Sequence, residues 1–215
     1  MAIAFADIQT LHLKLKDLEQ DGTDLKSLNA VHKQLIDRII LHHKDRGVKA
    51  YAACCLADLL RLYAPDAPYT GDELRDIFQF FVVQITQNLK YQPGTRPLAP
   101  SKKSNDAQSQ PSQATRINEI PYYNEYSYLL DNLASIKSVV LICELPSADD
   151  LITTYFDSFA DIVRPDMNKL MVRNMASILA DLLNEADTVP TGVMDCIFGQ
   201  FENYGTVSCQ ELVRS

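Results

Sequence analysis

The chain has 215 residues, 47% of them hydrophobic and 22% charged, which is ordinary for a soluble globular protein with one or two cores. A formal net charge of −8 excludes binding to nucleic acid through a general basic field, and the local spot His42-His43-Lys44-Asp45-Arg46 does not reverse that. Only 7 glycines and no sustained apolar/polar alternation argue against a sheet-rich fold.

In chain order, the spacing of apolar residues predicts a short amphipathic stretch over Leu11 to Glu19 and then a run of helices. Leu28, Val31, Leu35 and Ile39 mark one face of a helix from Asp24 to Lys44. Val48, Ala52, Cys55, Leu56, Leu59 and Leu62 mark the next, ending near Tyr63. Leu74, Ile77, Phe78, Phe81, Val82, Ile85 and Leu89 mark a third, over Gly71 to Leu89. Further helices are expected over Pro121 to Cys143, Ala148 to Val163, Met167 to Asn184 and Pro190 to Tyr204. Thr70 with Glu73 forms a T-x-x-E capping box, and Ser147 with Asp150 a weaker version of it. None of the 10 prolines falls inside a predicted helix; Pro121 and Pro190 fall at helix starts, where no N–H is needed. The expected class is all-α.

Residues Tyr91 to Arg116 differ. They hold four prolines, many serines and glutamines, and only Tyr91 and Leu98 as large apolar residues, too little burial to offset the entropy of ordering them. They read as a flexible polar insertion between two helices that pack together, within a single segment spanning residues 1–215; a linker between domains is the alternative. With the insertion discounted, helix-pair starts near residues 24, 71, 148 and 190 recur every ~40–47 residues, the period of HEAT and armadillo repeats. Asp45-x-x-Val48-Lys49-x-x-Ala52-x-x-x-Leu56 resembles the inner-helix signature D-x-x-V-R/K-x-x-A-x-x-x-L of a HEAT repeat, and Val172-Arg173-x-x-Ala176 echoes part of it. The architecture expected is therefore a HEAT-repeat α-solenoid of antiparallel helix pairs. Its last helix lacks a second member, and Ser208-Cys209-Gln210-Glu211 looks like the cap of a helix cut short, so a truncated N-terminal piece of a longer protein is expected.

Catalytic chemistry has little to stand on. There is no phosphate loop, no H-E-x-x-H and no glycine-rich strand-to-helix turn, so no catalytic residue, metal ligand or cofactor is assigned. Cys54 and Cys55 lie on an apolar helix face and read as small core residues; a helical enzyme using such a thiol is the reading from another class. His42 and His43 do not share a face as metal ligands at i and i+4 would. The acidic residues read as distributed over solvated faces. Five cysteines without a C-x-x-C pattern fit a reducing compartment, and no apolar run approaches the ~20 residues that span a bilayer. Tyr122, Tyr123, Tyr126 and Tyr128 cluster at one helix start and are divided between core and inter-repeat groove.

One connection stands out. Between two apolar helices, Ala64-Pro65-Asp66-Ala67-Pro68-Tyr69-Thr70 carries two prolines that fix φ and disfavour helix at the residues before them. Such a corner is preorganised, which lowers the ordering cost when a flexible peptide arrives. Tyr69 could offer a flat ring with a polar tip, and Asp66 could accept from a partner's arginine or lysine. The competing expectation is a structural corner in which Thr70 caps the next helix and Tyr69 packs inward.

Ala53-Cys54-Cys55-Leu56-Ala57-Asp58, followed by Ala64 through Thr70, resembles the N-terminal region of the "precocious dissociation of sisters" family of cohesin-associated HEAT-repeat regulators, as does the block from Tyr123 to Leu145. The 91–116 insertion is longer and more polar than that family's pattern, and the last ten residues match weakly. The resemblance implies a nuclear, chromosome-associated, non-catalytic solenoid that controls sister-chromatid cohesion and cohesin release. As partners it implies the kleisin subunit of cohesin, a Wapl-type release factor and its antagonists, and the cohesin acetyltransferase. It further implies that Ala64, Pro65, Asp66, Ala67, Pro68, Tyr69 and Thr70 dock short motifs of the release factor and its antagonists, whereas kleisin contacts lie mostly farther along the solenoid. A generic HEAT adaptor for transport or phosphatase assembly is the alternative within binding proteins. No membrane or direct nucleic-acid partner is expected.

Overall fold

The computed structural model describes residues 5–90, 120–165 and 167–203. The predicted insertion over 91–116 and the predicted cap at 208–211 lie outside these. Among the described residues there are helices and no strand: α1 (Phe5–Lys16), α2 (Asn29–Leu35), α3 (Arg38–Leu41), α4 (Arg46–Tyr63), α5 (Gly71–Leu89), α6 (Tyr123–Ile136), α7 (Ala148–Ile162), α8 (Lys169–Glu185) and α9 (Thr191–Asn203). No described helix is long and apolar enough to cross a membrane.

The helices form two rows. Helices that alternate along the chain lie side by side and parallel, as their contacts show. Cys54 Sγ donates to the Glu125 carbonyl at 3.4 Å and Tyr128 Oη to Asp58 Oδ1 at 2.6 Å, so α4 and α6 run the same way. Asn174 Nδ2 donates to Asp131 at 3.3 Å and Lys137 Nζ to Asp181 at 2.8 Å, which extends that row to α8. In the other row Tyr155 Oη donates to the Phe78 carbonyl at 3.0 Å and Lys90 Nζ meets Asp161 at 2.6 Å, so α5 and α7 are parallel. Gly192 of α9 lies so close to α7 that a Cβ there would stand 2.6 Å from Thr153 Cγ2. Successive helices therefore alternate between rows and run antiparallel, as in a solenoid of helix pairs. α5 and α6, on either side of residues 91–116, pack on each other.

One continuous apolar core fills the space between the rows, with Leu56, Leu59, Phe78, Phe81, Tyr126, Leu130, Tyr155 and Ile178 all shielded from solvent. Leucine or phenylalanine truncation at such positions costs about 2–5 kcal/mol, which is why the apolar spacing is so readable in the sequence. α1 joins the first row ahead of α4. It starts earlier than predicted and runs parallel to α4, which donates from Cys55 Sγ to the Ile8 carbonyl and from Arg61 to the carbonyls of Leu15 and Leu18.

Three local expectations are corrected. The single helix expected over Asp24 to Lys44 is a 3-10 turn (Leu25–Leu28) that runs into α2, followed by α3; a carboxylate caps the 3-10 turn, where Asp24 accepts from Lys26 N at 3.1 Å, and another caps α3, where Asp37 accepts from Ile39 N at 2.8 Å. The break shifts the register, so Ile40 and Leu41 turn inward while Ile39, expected in the core, is 72% exposed. The helix expected over Pro121 to Cys143 stops at Ile136, because Lys137 adopts a left-handed conformation (φ 58°), and a 3-10 stretch follows (Ser138–Glu144). Ser147 makes no side-chain cap to α7, whereas the Thr70–Glu73 capping box is present in both directions, at 3.3 and 2.8 Å.

Candidate functional site: a proline corner and the buried carboxylate behind it

α4 ends where the chain must turn to enter the other row. Ala64 leaves helical geometry (φ −55°, ψ 140°), and the Ala64–Pro65 peptide bond is cis. Gln20, from the segment after α1, donates to the Ala64 carbonyl, and Tyr63 Oη donates to the Leu25 carbonyl at 2.9 Å. The corner is thus tied to the N-terminal segment from two sides. Pro65 and Asp66 are exposed, Ala67 and Pro68 half-buried, and Thr70 is exposed while it caps α5.

Tyr69 corrects the sequence expectation of an offered ring. It is 9% exposed, packed edge-on to His32 with ring centroids 5.6 Å apart, and its hydroxyl has no hydrogen-bond partner among the described residues. Burial first, then the neighbouring Tyr63, Glu73 and Cys55, push its hydroxyl pKa well above the ordinary value. The reason is positional. Tyr69 precedes the N-cap Thr70, and Leu74 four residues into α5 is buried with it, the placement of a hydrophobic staple. The part of the corner that faces solvent is therefore Pro65 and Asp66, flanked by Ala67, Pro68 and Thr70. Asp66 has no ion-pair partner among the described residues.

Behind the corner is a feature that the sequence reading missed. Asp58, one turn before the end of α4, is fully buried rather than on a solvated face. Its Oδ1 accepts from Tyr128 at 2.6 Å and from Asn132 Nδ2 at 3.3 Å, both on α6, and lies 3.5 Å from Arg61. Its Oδ2 lies 3.3 Å from His12 Nδ1 of α1. Arg61 passes its other contacts to the carbonyls of Leu15 and Leu18, at 3.0 and 2.9 Å, and Lys16 sits over the Tyr128 ring, 4.9 Å from its centroid. One carboxylate thereby joins α1, α4 and α6 and fixes the end of α4 from which the corner departs. The available signal was that Asp58 sits four residues after Cys54 and four before Leu62, on an apolar stripe.

Nearby, Tyr51 donates to Glu125 Oε1 at 3.0 Å, and burial followed by that bond pushes its pKa up to about 12. Cys54 and Cys55 are fully buried, and burial raises both thiol pKa values well above the ordinary value, so neither supplies a thiolate. Of the tyrosine cluster, Tyr126 is core, Tyr128 serves Asp58, and Tyr122 packs edge-on to Tyr51 with centroids 6.2 Å apart. Among the described residues no group of His, Cys, Asp and Glu could hold a metal ion.

The same arrangement of helices recurs in known proteins. The family model of sister chromatid cohesion protein PDS5 matches residues 5–211. The chain belongs to the PDS5 family. It is 34% identical over 197 residues to sister chromatid cohesion protein PDS5 of Saccharomyces cerevisiae, covering 92% of this chain and 13% of the relative. To pds5 of Schizosaccharomyces pombe it is 33% identical over 187 residues, with 87% and 13% covered. To the PDS5 homolog B of Homo sapiens it is 31% identical over 164 residues, with 76% and 10% covered. A chain from a solved Pds5–Scc1 complex superposes with a TM-score of 0.74 at 34% identity, over 93% of this chain and 26% of that one. The fold is accordingly that of a PDS5 HEAT-repeat solenoid, of which this chain spans a minor part of the relatives' length.

Proposed function

We propose that this chain is a non-catalytic docking segment of a cohesin regulator, which acts on chromosomes in the nucleus to control sister-chromatid cohesion and cohesin release. The observation that carries this reading is the family match over residues 5–211, together with a solved neighbour that is a Pds5–Scc1 complex. The kleisin subunit of cohesin is the partner that neighbour suggests. A Wapl-type release factor, its antagonists and the cohesin acetyltransferase follow from the family resemblance.

Within the segment, the corner Ala64, Pro65, Asp66, Ala67, Pro68, Tyr69 and Thr70 is the proposed docking point for short motifs of the release factor and its antagonists. Its shape is set by the cap at Thr70, the ties from Gln20 and Tyr63, and the buried Tyr69 beneath. The exposed Asp66 supplies a carboxylate for a cationic side chain, and Pro65 supplies a rigid apolar edge. Tyr69 acts from below, as a support for the corner. The test is calorimetric titration of tiled peptides from a release factor and its antagonists into wild type, Asp66→Lys and Thr70→Ala. At least one peptide is expected to bind wild type and lose binding to Asp66→Lys at unchanged melting temperature. Thr70→Ala is expected to cost about 1 kcal/mol of stability as a lost cap. Binding that survives Asp66→Lys would reduce the loop to a structural corner.

A further inference from the structure

The opposite end of α4 carries a second surface that the cohesion reading does not use. Residues 33–49 hold five cations, Lys33, Arg38, Lys44, Arg46 and Lys49, against two carboxylates, in a chain of net charge −8. Both carboxylates are spent on helix starts: Asp37 on Ile39 N, and Asp45 on Gly47 N and Val48 N at 2.7 and 3.1 Å. Among the described residues none of the five cations has an ion-pair partner, and Arg46 bonds only the neutral Asn88, at 3.0 and 2.6 Å. Lys33, Arg38, Lys44 and Arg46 are exposed, as is His42. Between them in the chain, and next to Arg38 on the single turn of α3, Ile39 is 72% exposed.

A solvated charge run needs no aliphatic side chain at its centre. We propose that the α3–α4 corner docks an acidic peptide segment of a protein partner, with carboxylates on Arg38, Lys44 and Arg46 and an apolar side chain covering Ile39. Charge complementarity gives such a segment its approach and orientation, and the isoleucine gives a desolvated anchor. A peptide fits better than duplex nucleic acid, because a peptide can bring an apolar side chain to cover the exposed isoleucine and a phosphate backbone cannot. The site stands apart from the 64–70 corner by the length of α4, ~27 Å at the rise of an α-helix.

The test is to pan a random-peptide phage library on the chain, with counter-selection on Ile39→Ser. The enriched peptide is then titrated by fluorescence anisotropy, alongside a short duplex DNA. Expected are sequences rich in aspartate and glutamate around an aliphatic or aromatic residue. Their binding should fall with salt and weaken about tenfold in both Ile39→Ser and Arg38→Glu/Lys44→Glu. Circular dichroism of both variants should match wild type, and Asp66→Lys should bind as wild type does, which separates this site from the other corner. No enrichment over Ile39→Ser, equal binding by either corner variant, or binding of the duplex with the same residue dependence but not of the peptide overturns the proposal.

Discussion

Replacing Asp58 by alanine tests whether the buried carboxylate holds the N-terminal helix to the solenoid. The substitution strips Tyr128 Oη of its acceptor and Asn132 of one, and it leaves Arg61 and His12 facing a void. Removing one member of a buried charged pair costs about 3–5 kcal/mol. Arg61 keeps the carbonyls of Leu15 and Leu18, and its side chain is 21% exposed, so the lower end applies, about 3 kcal/mol. For a domain of this size 1 kcal/mol moves the melting temperature by about 2–4 °C, so thermal unfolding followed by circular dichroism should show a fall of roughly 6–12 °C. Asp58→Asn keeps a carbonyl acceptor for Tyr128 and should lose less, about 1–2 kcal/mol. Because the carboxylate faces His12 and holds Arg61, which bonds the Leu15 carbonyl, it is one of the polar links between α1 and the rest, and amide hydrogen exchange in α1 should accelerate more than in α8. A melting temperature within about 2 °C of wild type, or α1 exchange that does not change, would show that the carboxylate does not hold α1 in place.

His32 gives a pH prediction of known sign. Burial, followed by the charge of Lys33 and opposed by Glu73, lowers its pKa below the ordinary 6.5. The unfolded chain then binds the proton more readily, so the stability His32 contributes is present above pH 6.5 and is lost as pH falls from there toward the folded value. His32→Gln should flatten the decline of melting temperature between about pH 6.5 and 5, and parallel curves would count against this. At Gly192 a methyl group would meet Thr153 Cγ2 at 2.6 Å and Oγ1 at 2.8 Å. Gly192→Ala should gain about 1 kcal/mol of helix propensity and lose about 1–3 kcal/mol to overpacking. Adding Thr153→Ala should restore stability above the single variant, as a urea unfolding series would read; no recovery means that α7 and α9 do not meet there.

The solenoid was legible because its helices are written in strong, local terms. The expected bounds of α5 agree with the structure at both ends, and those of α4 at its C-terminus, since a capping box, a proline corner and a continuous apolar stripe each act within a few residues. The region from Asp24 to Lys44 was not legible, because an apolar period continues across the break and only the side-chain cap of Asp37 marks the new start. Asp58 was missed because a carboxylate on an apolar stripe looks like an exception until partners from two other helices are seen around it.

The all-helical class, the pairwise repeat and the place of the proline corner are readable from the residues alone, because they depend on spacing and on backbone chemistry within one or two turns. Which side chains of that corner and of α3 meet solvent is settled by the packing of the folded chain. Tyr69 turns in against His32, Asp66 stays out, Ile39 is left uncovered and Asp58 is enclosed by α1 and α6. The His32 contact of Tyr69 and the enclosure of Asp58 rest on contacts with segments tens of residues away in the chain, and no local pattern encodes which neighbours a folded row will bring.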